Sequence, residues 1–244
     1  MQEDWDRAEK RFAACASNTV DSARAADAFV WAAKTAMRKS AFQSAVDYVA
    51  AAVAKKALSG PALAAALMVQ GEALIELARF DLAVFTLERA ALAAPDDDAV
   101  RRAATLKADA LFAMGADDDA RYEAALDAYR AALRDARLSP GATLAVQFKI
   151  GRTLEKLRRT QEADAQYYSN VVLAFEEGRK AGQWYDDAAR AFFTRAVFAL
   201  ADRCAARGER RQAIEMLRHV ELSGLPAAKD AKAKIEELKS KGGF

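Results

Sequence analysis

At 244 residues the chain is long enough for one large domain or for a continuous array of repeats. It contains 62 alanines against 4 prolines and 11 glycines, so its 53% apolar content suits thin layers of closely packed helices better than one thick core. The 37 basic and 35 acidic side chains are well mixed and sum to +2, which leaves no electrostatic reason to expect nucleic acid or an anionic membrane as a partner.

The first predicted element is an amphipathic helix within residues 1–20, with Trp5, Ala8, Phe12 and Cys15 on one face. Five helix pairs follow, at about 21–58, 61–94, 97–137, 140–180 and 183–223. The second helix of each pair repeats the spacing of the opening element. Its copies are Phe42, Ala45, Val49 and Ala52, then Phe80, Ala83, Leu87 and Ala90, then Tyr122, Ala125, Tyr129 and Ala132. Two weaker copies are Thr160, Ala163, Tyr167 and Asn170, and Arg210, Ala213, Leu217 and Val220. The first helix of each pair carries a small residue followed three later by Ala, Leu or Cys, as in Ala33 and Ala36, Gly71 and Leu74, Ala108 and Leu111, Gly151 and Leu154, and Ala201 and Cys204. Small residues let two helices approach while the large ones wedge into the next pair. Turns are expected at Ser59-Gly60-Pro61, at Pro95-Asp96-Asp97-Asp98, at Leu138-Ser139-Pro140 and at Gly224-Leu225-Pro226. The last element, 226–241, carries Ile235 and Leu238 among charges and reads as a solvating cap.

The run Gln70-Gly71-Glu72-Ala73-Leu74 with Phe80, Ala83, Leu87, Ala90 and Pro95 resembles the tetratricopeptide repeat at most of its signature positions. The stretch from Leu111 through Gly115 to Ala132 resembles it too. The resemblance implies an all-α, right-handed α–α superhelix. On this reading residues 1–244 form a single solenoid domain of about five pairs, a leading half-repeat and a C-terminal capping helix. Successive marker alanines are 37, 38, 42, 38 and 50 residues apart rather than the usual 34, which looks like the long-repeat bacterial envelope type. The extra length is expected in helices and turns, most of all between Val171 and Phe193. The opening half-repeat is read as a deliberate cap or as the start of a piece cut from a longer protein. The second is favoured because Trp5 and Phe12 call for a partner surface.

Few residues invite a chemical reading. The one histidine, His219, falls near a helix C-terminus, where a cation is favoured. Cys15 and Cys204 both fall on the small markers and are expected to be buried thiols, and no cysteine pair has metal-ligand spacing. The acidic runs beginning at Asp96 and Asp117 lack the third carboxylate of a prenyl-transfer metal motif and read as helix caps. The basic clusters Arg38-Lys39, Arg158-Arg159 and Arg207 with Arg210-Arg211 read as helix C-terminal charges at the turns inside the pairs. No phosphate-cradling glycine loop occurs, so neither a cofactor nor a metal is expected. The longest charge-free stretch, 57–71, is shorter than the roughly 20 residues of a membrane span, and no apolar signal core follows residues 1–4.

The resemblance places the partner surface on the first helix of each pair. The positions it implies are Val30, Lys34, Met37 and Arg38, then Met68, Glu72, Ile75 and Glu76. Next come Arg102, Asp109 and Phe112, then Phe148, Arg152 and Lys156, and last Arg195, Phe198 and Asp202. The set alternates apolar anchors with charges of both signs, which suits an extended or helical peptide, while Met37, Met68, Phe112, Phe148 and Phe198 each read equally well as core. Val30 and Val69 stand where chaperone-tail binders of this family carry carboxylate-clamping side chains, so that specificity is rejected. The expected function is therefore a non-enzymatic protein-interaction scaffold. The alternative is a regulatory or assembly domain of a larger bacterial protein, periplasmic if that protein is exported and otherwise cytoplasmic.

Overall fold

The computed structural model describes residues 2–116, 118–134 and 138–240, and among these every regular element is helical. The order is α1 (Gln2–Asn18), α2 (Ser22–Arg38), α3 (Phe42–Ala54), α4 (Gly60–Glu76), α5 (Phe80–Ala93), α6 (Asp97–Met114), α7 (Asp119–Leu133) and α8 (Pro140–Lys156). Then α9 (Thr160–Tyr167), a π-helical segment (Tyr168–Leu173) and α10 (Ala174–Lys180) run on without a break. The chain closes with α11 (Asp187–Ala206), α12 (Arg210–Glu221) and α13 (Ala228–Ser240). No helix is long and apolar enough to cross a membrane among the described residues.

Local chemistry accounts for where the helices start and stop. The Asp96 carboxylate accepts a hydrogen bond from the Ala99 N–H at 2.8 Å, and Asp118 accepts one from Ala120 at 2.9 Å. Such caps are each worth about 1 kcal/mol. The acidic runs thus begin helices α6 and α7; Asp117 itself lies outside the described residues. Inside the pairs, one turn recurs four times. The N–H groups of Ala41, Arg79, Arg159 and Glu209 reach back to the carbonyls of Ala36, Leu74, Leu154 and Cys204 at 2.8–2.9 Å. The residues just before them, Ser40, Ala78, Arg158 and Gly208, have φ of 57°, 55°, 60° and 81°. This is the Schellman geometry, and three of its four left-handed positions are held without glycine.

The small markers set the pair spacing. A Cβ added to Gly71 would lie 2.5 Å from a terminal carbon of Leu87, and one added to Gly151 would lie 2.4 Å from the Tyr167 ring. Each pair therefore closes at a distance that only glycine permits there.

Packing divides the chain into two compact units, Met1–Ala136 and Arg137–Phe244. In the first, each helix packs on its chain neighbour, while α2 lies against α4 and α4 against α6. The first helices thus form one layer, and α3 and α5 each pack against two of them. Ala45, Ala83 and Ala125 are 0% exposed at the seam, and Val49, Leu87 and Tyr129 fill the space beside them. The opening copy of the pattern departs from this. Ala8 is only half-buried and Cys15 is exposed, contrary to the expectation of two buried thiols. The reason is that, among the described residues, α1 packs chiefly on α2, which leaves its other side uncovered. Lys39 ties it down, pairing with Asp6 and, at 2.6 Å, with Glu9.

The second unit has an aromatic core. Phe175 stacks at 4.3 Å on Phe193 and lies 4.6 Å from Tyr185, with Tyr167, Val171 and Val172 fully enclosed beside them. Ala231 and Ile235 of α13 are buried against this core. The 50-residue interval between Ala163 and Ala213 comes from carrying the second helix through the π segment to Lys180 and from the 20-residue α11.

Candidate functional site

In the first unit, α2 borders a hollow of about 730 Å³. Trp5 and Phe12 of α1 form one wall, Trp31 and Met37 of α2 the floor, and Val69 and Glu72 of α4 the far side. The Phe12 and Trp31 rings stack at 6.0 Å, yet Trp31 remains 52% exposed. Lys34 Nζ sits 4.5 Å over the Trp31 ring in a cation–π contact. Arg38, at the end of α2, is exposed on the rim. Val30, by contrast, faces the α2–α3 core and is not part of the open surface.

Farther along the same layer, Met68 and Ile75 are half-buried against Leu74 and Leu87, so each offers only an edge. Glu72 and Glu76 are exposed, and no cation among the described residues pairs with either. The walls of the hollow desolvate Glu72, and the charges of Asp109 and Glu76 add to this, so its carboxyl titrates above the ordinary range. Asp109 accepts the Tyr129 hydroxyl at 2.5 Å, and burial pushes that phenol up. Arg102 turns back to Asp98 on its own helix at 3.4 Å, and Phe112 packs edge-on against Tyr122 at 5.3 Å. Arg102 and Phe112 therefore already have partners within the chain.

The second unit corrects one expected anchor. Phe148 is 5% exposed, its ring 5.4 Å from Tyr167 and 5.0 Å from Phe192. It belongs to the core because α11 lies directly against α8 and delivers Phe192 to it. Phe198 is half-buried with Lys234 Nζ 5.6 Å from its ring, and the same lysine pairs with Asp202. The protein's own α13 thus occupies both positions. What stays open is a shallow hollow of about 450 Å³ where Arg152, Lys156 and Arg195 converge. Arg152 Nε lies 3.5 Å from Glu155.

Sequence reasoning missed two side chains. Trp31 lies three residues before Lys34, and that spacing would have found it on the same helix face. Arg203 was hidden because its partners are remote: it donates to Glu155 on α8 and Asp164 on α9, while Arg207 joins the same Asp164 at 3.0 Å. The His219 Nδ1–H donates to the Glu176 carboxylate at 2.7 Å near the end of α12, and burial pushes the Cys204 thiol up. Among the described residues no three His, Cys, Asp or Glu side chains come together as metal ligands. No family model matches the sequence, and no curated protein matches it either.

Proposed function

We propose that the chain is a tetratricopeptide-type scaffold, its units wound in the right-handed sense, that holds a partner polypeptide on the layer of first helices without catalysing a reaction. One observation supports this above the others. A hollow of about 730 Å³ in the first unit is bordered by a tryptophan that is half in solvent, on the helix layer where this repeat type presents its ligand face. An exposed indole beside an apolar hollow is an anchor site for a large side chain, since burying it removes both partners' apolar surface from water. Charges of both signs around it set register rather than bulk affinity.

Selection from a random displayed-peptide library tests this reading. Enriched peptides should lose binding to a Trp31→Ala, Met37→Ala double variant whose helical circular dichroism is intact. Peptides that hold the variant as tightly as the parent chain would overturn it.

A further inference from the structure

The end of α4 is built against its own stability. Its last five residues include Glu72 and Glu76, spaced i, i+4 on one face, at the terminus where the helix dipole disfavours anions. First helices α2, α8 and α11 instead carry Arg38, Lys156 and Arg203 in their last turns. Asp109 of α6 adds a third carboxylate close enough to raise Glu72 further. In the second unit the acids on the corresponding layer are neutralised by the protein's own cations: Glu155 by Arg203, and Asp202 by Lys234. Glu72 and Glu76 have no such counter-charge among the described residues. Glu72 also lines the apolar hollow, so the unneutralised charge begins at the edge of the anchor site and continues along α4 to Glu76.

Resting on the scaffold reading above, we infer that the first unit takes a polypeptide segment with one large apolar side chain seated beside Trp31 and lysines or arginines flanking it over Glu72 and Glu76. The apolar anchor supplies most of the affinity, and the carboxylates select the basic flank and orient it away from Lys34 and Arg38. Cations brought by the partner relieve the like-charge crowding that the free protein carries.

The test uses two fluorescently labelled peptides sharing one Phe-Leu anchor, one followed by a run of lysines and the other by a run of glutamates. Polarisation titrations on the whole chain should give the lysine peptide a Kd lower by roughly tenfold at low salt, with the advantage shrinking as ionic strength rises. In a Glu72→Gln, Glu76→Gln variant the two peptides should bind alike and weakly, through the anchor alone. Equal binding to the parent chain, a preference for the glutamate peptide, or a preference that survives in the variant overturns this inference and leaves the scaffold reading standing. Failure of both peptides to bind, or binding indifferent to Trp31→Ala, overturns both. Unchanged helical circular dichroism in each variant excludes unfolding as the cause.

Discussion

In the first unit Trp5 and Trp31 lie at the surface and, among the described residues, two carboxylates of α4 have no counter-charge, whereas in the second unit the Phe148 ring of α8 turns inward and Glu155 is paired with Arg203. Both units use the same helix pair, the same close glycine approach and the same turn. The difference lies in what covers the layer of first helices. In the second unit α11 brings Phe192 onto Phe148, and α13 brings Lys234 onto Phe198 and Asp202. In the first unit α1 leaves a hollow instead of filling it. One helix-pair pattern thus yields a consolidated half and a half that keeps an open hollow, depending on whether a later helix supplies the covering side chain.

The contrast is broken most severely at Phe148. Truncation to alanine should cost about 3–5 kcal/mol and raise amide exchange throughout 138–240 while leaving 2–134 protected. Exchange rising equally in both units would show that they unfold as one. Next come the two glycines. Gly151→Ala drives a methyl into a fully enclosed tyrosine ring, and Gly71→Ala drives one into a leucine that has more ways to move. Both should destabilise by about 1–3 kcal/mol in urea titrations, with Gly151→Ala the worse. A Leu87→Val change should recover part of the Gly71→Ala loss and none of the other.

Arg203→Met tests the pairing of the second unit. It leaves Glu155 and Asp164 without their shared donor, and the partly exposed site should yield a loss of about 1–2 kcal/mol. The effect should be smaller in high salt. The smallest effect belongs to Glu72→Gln. The folded state raises this carboxyl, so it binds protons more tightly than the unfolded chain does, and stability falls as pH rises through that window. The variant should therefore be more stable by about 0.2–0.5 kcal/mol at neutral pH, and its advantage should vanish in acid, below the unfolded carboxylate range. A melting-temperature series from acid to neutral pH checks the sign.

Much of this architecture could be read before any coordinates. The marker alanines, the glycine at the close approach and the aspartate caps are local signals, each fixed by a few neighbouring residues. Phe148 and Phe112 show where that reading stops. Both occupy first-helix positions with the same periodicity, but Phe148 is enclosed by Phe192, 44 residues away, while Phe112 meets Tyr122 of its own pair. Cys15 fails for the complementary reason: its helix has the right face and lacks the neighbour that would bury it. The unneutralised state of Glu72 and Glu76 was equally invisible, since it depends on which cations the fold brings near and which it sends elsewhere.

The π segment of the second unit carries a consequence for how such arrays change length. Ala163, Tyr167, Val171 and Phe175 advance in equal steps of four, and in an ordinary α-helix each step would swing the side chain about 40° further round. By the fourth residue the apolar stripe would have left the core. The wider turn at Tyr168–Leu173 resets the phase, so all four stay enclosed. A helix with this correction can gain a residue within its span and still present the downstream stripe on its original bearing.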